Sequence, residues 1–235
     1  MTPHRARSGK HRWFSRLLAG ALAAAVIGGL VLIVIERQPV ETTTSTGGVR
    51  IIPVAPEHRP GYSRGCSPGE GCVFGPAWSA DNTTEWGHQG CDTRNLALRR
   101  DLVDVQLKPG THGCVVLSGQ LQDPYSGQTV QFTRAQAQLV PVDHVWPLAQ
   151  VWDRGAAEWP IQQRRNIAND PLNLQVTTAA ANRAKSDHMP DQWLPNTPGG
   201  TCQYVARFMQ VAIKYDLPVT VAEYAAIQQV KRSCR

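Results

Sequence analysis

Two adjacent side chains stand out for what they could do together. In PVDHVWPL, Pro141 to Leu148, Asp143 and His144 sit inside an otherwise apolar, strand-like run. Each loses hydration there at a cost unless a partner offsets it. One reading is an edge position, with both groups half in water. The other is chemical: a base and a metal ligand held on a stiff element. An imidazole of ordinary pKa, about 6.5, suits proton removal near neutral pH. Further along lie Asn173 in NDPLNLQV and Asn182 in AANRAKSD, with Arg183 and Lys185 just beyond.

Stepping from these residues to the elements that must hold them, the chain reads as α+β from Cys91 onward. NLALRRDL carries Leu96, Leu98 and Leu102 at helical spacing, and VDVQLK, CVVLSGQL and QTVQF read as strands, with DPYSG a turn between the last two. LVPVDHVWP is a further strand, closed by Pro147. LAQVWDRGAAEWP and IQQRRNIAND read as two helical pieces broken near Gly155 and Pro160, LNLQVT as a short strand, and TAAANRAKSD as a helix capped by Thr178. Two helices close the chain, roughly Cys202 to Tyr215 and Thr220 to Ser233. The polar residues thus fall on strand, strand and helix in order. Adjacent strand residues point to opposite faces, so Asp143 and His144 need local distortion, or an ion between strand and helix, to serve one site.

DHVWPL, then NDPLNLQV, then AANRAKSD resembles the ββα-metal, or HNH, endonuclease motif. It is most similar to the HNH family that shares the catalytic domain of GmrSD-type restriction enzymes. CDTRNLALRRDL and CVVLSGQLQDPYSGQTVQF resemble that family's exported actinobacterial members, and NRAKSDHMP is similar to the matching helix of RNA-guided CRISPR nucleases. The resemblance implies a ββα-metal core with a β-hairpin region before it and two helices after it. It also implies metal-dependent hydrolysis of DNA. His144 would be the general base, and Asn173 would fix the backbone that aims it. Asp143 and Asn182 would hold a single Mg²⁺ or Mn²⁺, with waters and phosphate completing the shell. Asn182 stands where many members carry a final histidine, and this harder ligand set favours Mg²⁺ or Mn²⁺ over zinc. Arg183 and Lys185 could meet phosphate oxygens, one as a fork and one as a point charge. No organic cofactor is implied. An exported domain that kept the scaffold and lost turnover is the alternative, and an inhibitor protein would leave no mark in this sequence.

Charge and cysteine usage bound the setting. The net charge of +6 belongs largely to Arg5, Arg7, Lys10, Arg12 and Arg16. Without those five, 24 − 5 = 19 basic residues face 18 acidic ones, so little of the pI points to nucleic acid. LLAGALAAAVIGGLVLIVI, Leu17 to Ile35, holds 19 residues without a charge, about 28 Å as a helix, enough to span a hydrocarbon core. Residues 1–16 are expected in the cytoplasm, 17–35 in the membrane, and the rest outside. A cleaved signal peptide, giving a secreted protein, has the same charge order. Residues 36–90, rich in Thr, Pro, Gly and Ser, read as a flexible spacer, and 91–235 as the folded domain. Six cysteines on the outer side read as three disulfides. Proximity along the expected elements suggests Cys66–Cys72, Cys91–Cys114 and Cys202–Cys234, although the sequence does not fix the connectivity. The same cysteines argue against a cysteine hydrolase and against zinc, since no Cys-x-x-Cys pair exists. His88, His112 and His188 are expected to be solvated, Trp146, Trp152, Trp159 and Trp193 to be core, and Arg94, Arg99 and Arg100 to lie on a helix face.

Overall fold

The structure is a computed structural model that describes residues 44–46 and 48–234. The basic arm and the expected membrane segment lie outside the described residues. Among those described, no helix is long and apolar enough to cross a membrane.

In chain order the elements are β1 (Thr44–Thr46), β2 (Val49–Ile52), α1 (Thr93–Asp101), β3 (Leu102–Leu107), β4 (Val116–Gln122) and β5 (Thr129–Thr133). They continue through β6 (Val142–His144), α2 (Leu148–Asp153), α3 (Ile161–Asn169), β7 (Leu174–Val176), α4 (Ala179–Lys185), α5 (Pro198–Lys214), β8 (Val219–Thr220) and α6 (Val221–Ser233). Short 3₁₀ segments precede β6, α3 and β7, the first of them broken at Gln136.

The reasons for these boundaries are local. Asp92 caps α1 by accepting the Asn95 N–H, and Thr178 caps α4 by accepting that of Ala181. Gly155, at φ +122°, ends the turn after α2, and Pro160 opens α3, so the expected break falls where the sequence placed it. Thr220 and Glu223 form a reciprocal capping box at the head of α6.

Strands β3, β4 and β5 form an antiparallel meander, and Gly127 at φ +73° closes the DPYSG turn. β6 and β7 pair antiparallel, with Val142 opposite Val176, Asp143 opposite Gln175 and His144 opposite Leu174. α4 follows β7 directly, giving a strand–strand–helix unit. One core packs α1 and the meander onto this pair through Leu98, Leu121, Phe132, Leu174 and Val176. A second joins α2, α5 and α6 through Trp146, Phe208, Val211 and Ile227.

Three disulfides staple the chain: Cys66–Cys72, Cys91–Cys114 and Cys202–Cys234, with Cα–Cα distances of 4.4, 5.2 and 5.7 Å. That is the connectivity expected from proximity. The spacer expectation needs correction for the described part of residues 36–90. Val49 and Phe74 are buried in the second core, and β2 pairs parallel with β8. A Gly- and Pro-rich stretch satisfies its backbone here through short turns and one disulfide, which need no helix or strand pattern. Trp146 and Trp152 are buried and Trp159 and Trp193 pack against the same core, as expected, while His88, His112 and His188 are exposed.

Candidate active site

β6 ends at His144, and the two residues after it are held by Asn173. The Asn173 carboxamide oxygen accepts the Trp146 N–H at 2.8 Å, while its nitrogen donates to the Ile167 carbonyl at 3.1 Å. The next carbonyl along α3, that of Ala168, lies 2.9 Å from His144 Nε2. One buried amide therefore fixes both the strand that carries the imidazole and the helix end that orients it. A carbonyl only accepts, so Nε2 carries the proton, and a neutral ring keeps its lone pair on Nδ1. Burial, and after it the nearby Arg64 charge, hold the imidazole well below the usual histidine pKa. The neutral form is thus the resting form at pH 7. Trp78 stacks on the ring at 5.8 Å between centroids and 11° between planes.

Asp143 points the other way from the strand and meets different partners. Its Oδ2 accepts the Tyr125 hydroxyl at 2.9 Å and lies 3.1 Å from Lys185 Nζ, which also donates to Oδ1 at 3.2 Å. Lys185 Nζ also donates to the His144 carbonyl at 2.8 Å. Burial pushes the Asp143 carboxyl up, against the pull of Lys185 and Tyr125. Lys185 has no exposed surface, so it is spent on Asp143 and, contrary to expectation, cannot meet a phosphate.

Asp143, His144, Asn182 and Arg183 nevertheless line one cleft of about 440 Å³, with Tyr62 and Arg64 on its wall. The opposite strand faces both reach it because β6 ends there. Arg183 is exposed at this cleft. Among the described residues no three His, Cys, Asp or Glu side chains gather as a metal nest. The protein oxygens that an ion in this cleft could draw on include those of Asp143 and Asn182, both on its lining. That sparse, hard set suits Mg²⁺, which keeps several waters, and Asp143 retains lone-pair capacity beyond its three contacts.

Arg64 and Trp78 were missed because the segment that carries them read as a spacer; the aromatic and basic residues between its glycines were the available signal. GYSRG, Gly61 to Gly65, spells the G-x-S-x-G of a nucleophile elbow. The context is wrong: Ser63 lies in irregular chain with no strand before it or helix after it, and its Oγ accepts the Gly71 N–H at 2.8 Å. A larger cavity of about 470 Å³ is lined by Arg100, Arg207 and Lys214. Its two arginines are committed to the Pro171 and Leu174 carbonyls that brace β7.

Residues 92–230 match the GmrSD restriction endonucleases, C-terminal domain, and the chain belongs to that family. The matched span includes Asp143, His144, Asn173 and Asn182 but neither Arg64 nor Trp78. An "Uncharacterized secreted protein" of Arthroderma benhamiae is 38% identical over 146 residues, which cover 61% of this chain and 68% of that one. No solved structure matches.

Proposed function

We propose that the protein is a divalent-metal-dependent endonuclease of the HNH, or ββα-metal, type that hydrolyses DNA outside the cytoplasm. One observation carries the reading: a neutral imidazole, with its Nε2–H tied to Ala168, shares a solvent-reached cleft with a carboxylate and a carboxamide. His144 Nδ1 takes a proton from water as that water's oxygen attacks phosphorus. The bond from phosphorus to the leaving 3′ oxygen breaks, and the departing oxygen gains a proton from solvent. Asn173 does no chemistry and keeps the imidazole aimed. Asp143 and Asn182 would hold a single Mg²⁺ or Mn²⁺, which when bound supplies Lewis-acid stabilisation of the phosphate and leaving oxygen. Lys185 offsets part of the cost of a buried charge on Asp143. Three disulfides, the family and the secreted relative support an exported enzyme.

The test is nicking of a supercoiled plasmid by the full, oxidised chain with Mg²⁺ or Mn²⁺. Activity that is removed by chelator and falls at least about 10³-fold in His144→Ala is the expected result. No cleavage with any divalent ion, by a protein that is folded and oxidised, points instead to a binding module that lost turnover.

A further inference from the structure

We propose that Arg64 is a catalytic residue that grips the reacting phosphate, supplied by the segment that precedes the family domain. The proposal rests on the nuclease reading above. Arg64 lines the cleft with Asp143, His144 and Asn182, and it also lines an adjoining cavity of about 350 Å³ with Trp78 and Ala168. It therefore stands where two open spaces meet beside the general base. Its residue is exposed, and among the described residues its guanidinium has no hydrogen bond or ion pair. Arg183 on the same cleft is likewise exposed and, among the described residues, without a hydrogen bond or ion pair, but arginines elsewhere near the site differ. Arg100 and Arg207 are spent on carbonyls, Arg154 on buried Glu223 and Arg165 on Asp81.

Charge bookkeeping shows why the site needs it. Asp143 and Asp187 on the cleft offset Arg183 and the Lys185 behind it, so Arg64 is the charge that makes the protein's contribution there net positive. Phosphodiester hydrolysis builds negative charge on the non-bridging oxygens, and a guanidinium fork matches two of them. Donors fixed in advance stabilise that charge most, because no reorganisation is left for the reacting state. The backbone that carries Arg64 is fixed in this sense, which places the side chain at the cleft. The Cys66–Cys72 disulfide closes the loop that follows it, the Cys72 N–H donates to the Gly65 carbonyl at 2.9 Å, and Phe74 plugs the second core. Arg183, which also lines the cleft, can meet a neighbouring phosphate of the same strand.

The experiment compares the full oxidised chain with Arg64→Ala, Arg64→Lys, Arg64→Gln and, as a surface control, Arg99→Ala, with Mg²⁺ or Mn²⁺ present. Cleavage rates are measured on a DNA duplex. Binding of the same duplex is measured in a His144→Ala background over a range of salt. The expected result is a fall of about 10²-fold in rate for Arg64→Ala and Arg64→Gln, partly recovered in Arg64→Lys. The slope of log K against log salt should shrink by about 0.9 on removing Arg64, and Arg99→Ala should change neither readout. A merely structural arginine would not alter that slope. Cleavage lost in His144→Ala but retained in Arg64→Ala and Arg64→Gln at the Arg99→Ala level overturns the role of Arg64 alone. Absence of cleavage by the unmodified chain overturns the nuclease reading and this proposal with it.

Discussion

Lys185 donates to Asp143 and to the His144 carbonyl from a position without solvent, so its ammonium has no water to turn to if either partner is lost. Lys185→Met keeps much of the stem and removes the charge. It leaves Asp143 buried with Tyr125 as its remaining side-chain donor. Removing one partner of a buried pair costs about 3–5 kcal/mol, so chemical denaturation should show a loss of that order. A change below about 1 kcal/mol would mean that the pair is not formed. At this scale the residue types were legible and their partners were not. DH, PLN and NRAKSD mark the polar positions, but a lysine between Arg183 and Ser186 reads as solvated. Only its place four residues after Ala181, on the face of α4 that packs inward, hints otherwise.

The elements meet at Asp123, in the turn between β4 and β5. Its carboxylate accepts from Thr177 Oγ1 at 2.7 Å, Thr178 Oγ1 at 2.8 Å, Ser126 Oγ at 2.6 Å and the Tyr125 N–H at 3.0 Å. One side chain thereby ties the meander to the β7–α4 junction and sets Tyr125 beneath Asp143. Burial alone would raise its pKa, but these hydrogen bonds outweigh burial and hold it below the usual carboxylate value. A depressed folded pKa stabilises the protein fully above the unfolded value of about 4 and less as pH falls through the lower folded value. Asp123→Asn should therefore cost about 1–3 kcal/mol at pH 7, with the gap in Tm to the unmodified protein narrowing below about pH 4. A gap that stays constant down to pH 2 would remove this role. Most elements from Cys91 onward could be read beforehand, because Pro147, Gly155, Pro160 and Thr178 act locally. The bridge from Asp123 to Thr177 could not, since 54 residues separate them.

Across the whole molecule, α5 and α6 form a closing pair whose ends meet at Cys202–Cys234, 32 residues apart. In the loop-closure account a bridge of that span stabilises by about 3–4 kcal/mol. Cys202→Ser/Cys234→Ser should lose that much in denaturant titration, while a cost near zero would show that helix packing alone sets the pair. These helices supply Phe208, which stacks on Trp146 at 4.3 Å between ring centroids and accepts the Trp146 indole N–H at its carbonyl, 2.8 Å away. The C-terminal pair therefore buttresses the second residue past His144. The N-terminal stretch folds onto the same body, with Val49 and Phe74 as its anchors.

The sequence by itself determined the class of fold from Cys91 onward, the order of strand, strand and helix that bears Asp143, His144, Asn173 and Asn182, and a workable disulfide pairing. These rest on short-range rules: period, capping and turn chemistry act over a few residues. Only the tertiary structure decided that Lys185 turns inward to Asp143, that Tyr125 and Trp78 flank the two reactive groups, and that Arg64 faces their cleft. Those contacts join segments far apart in the chain through burial and electrostatics, and local pattern carries no record of which distant group will fill a given vacancy.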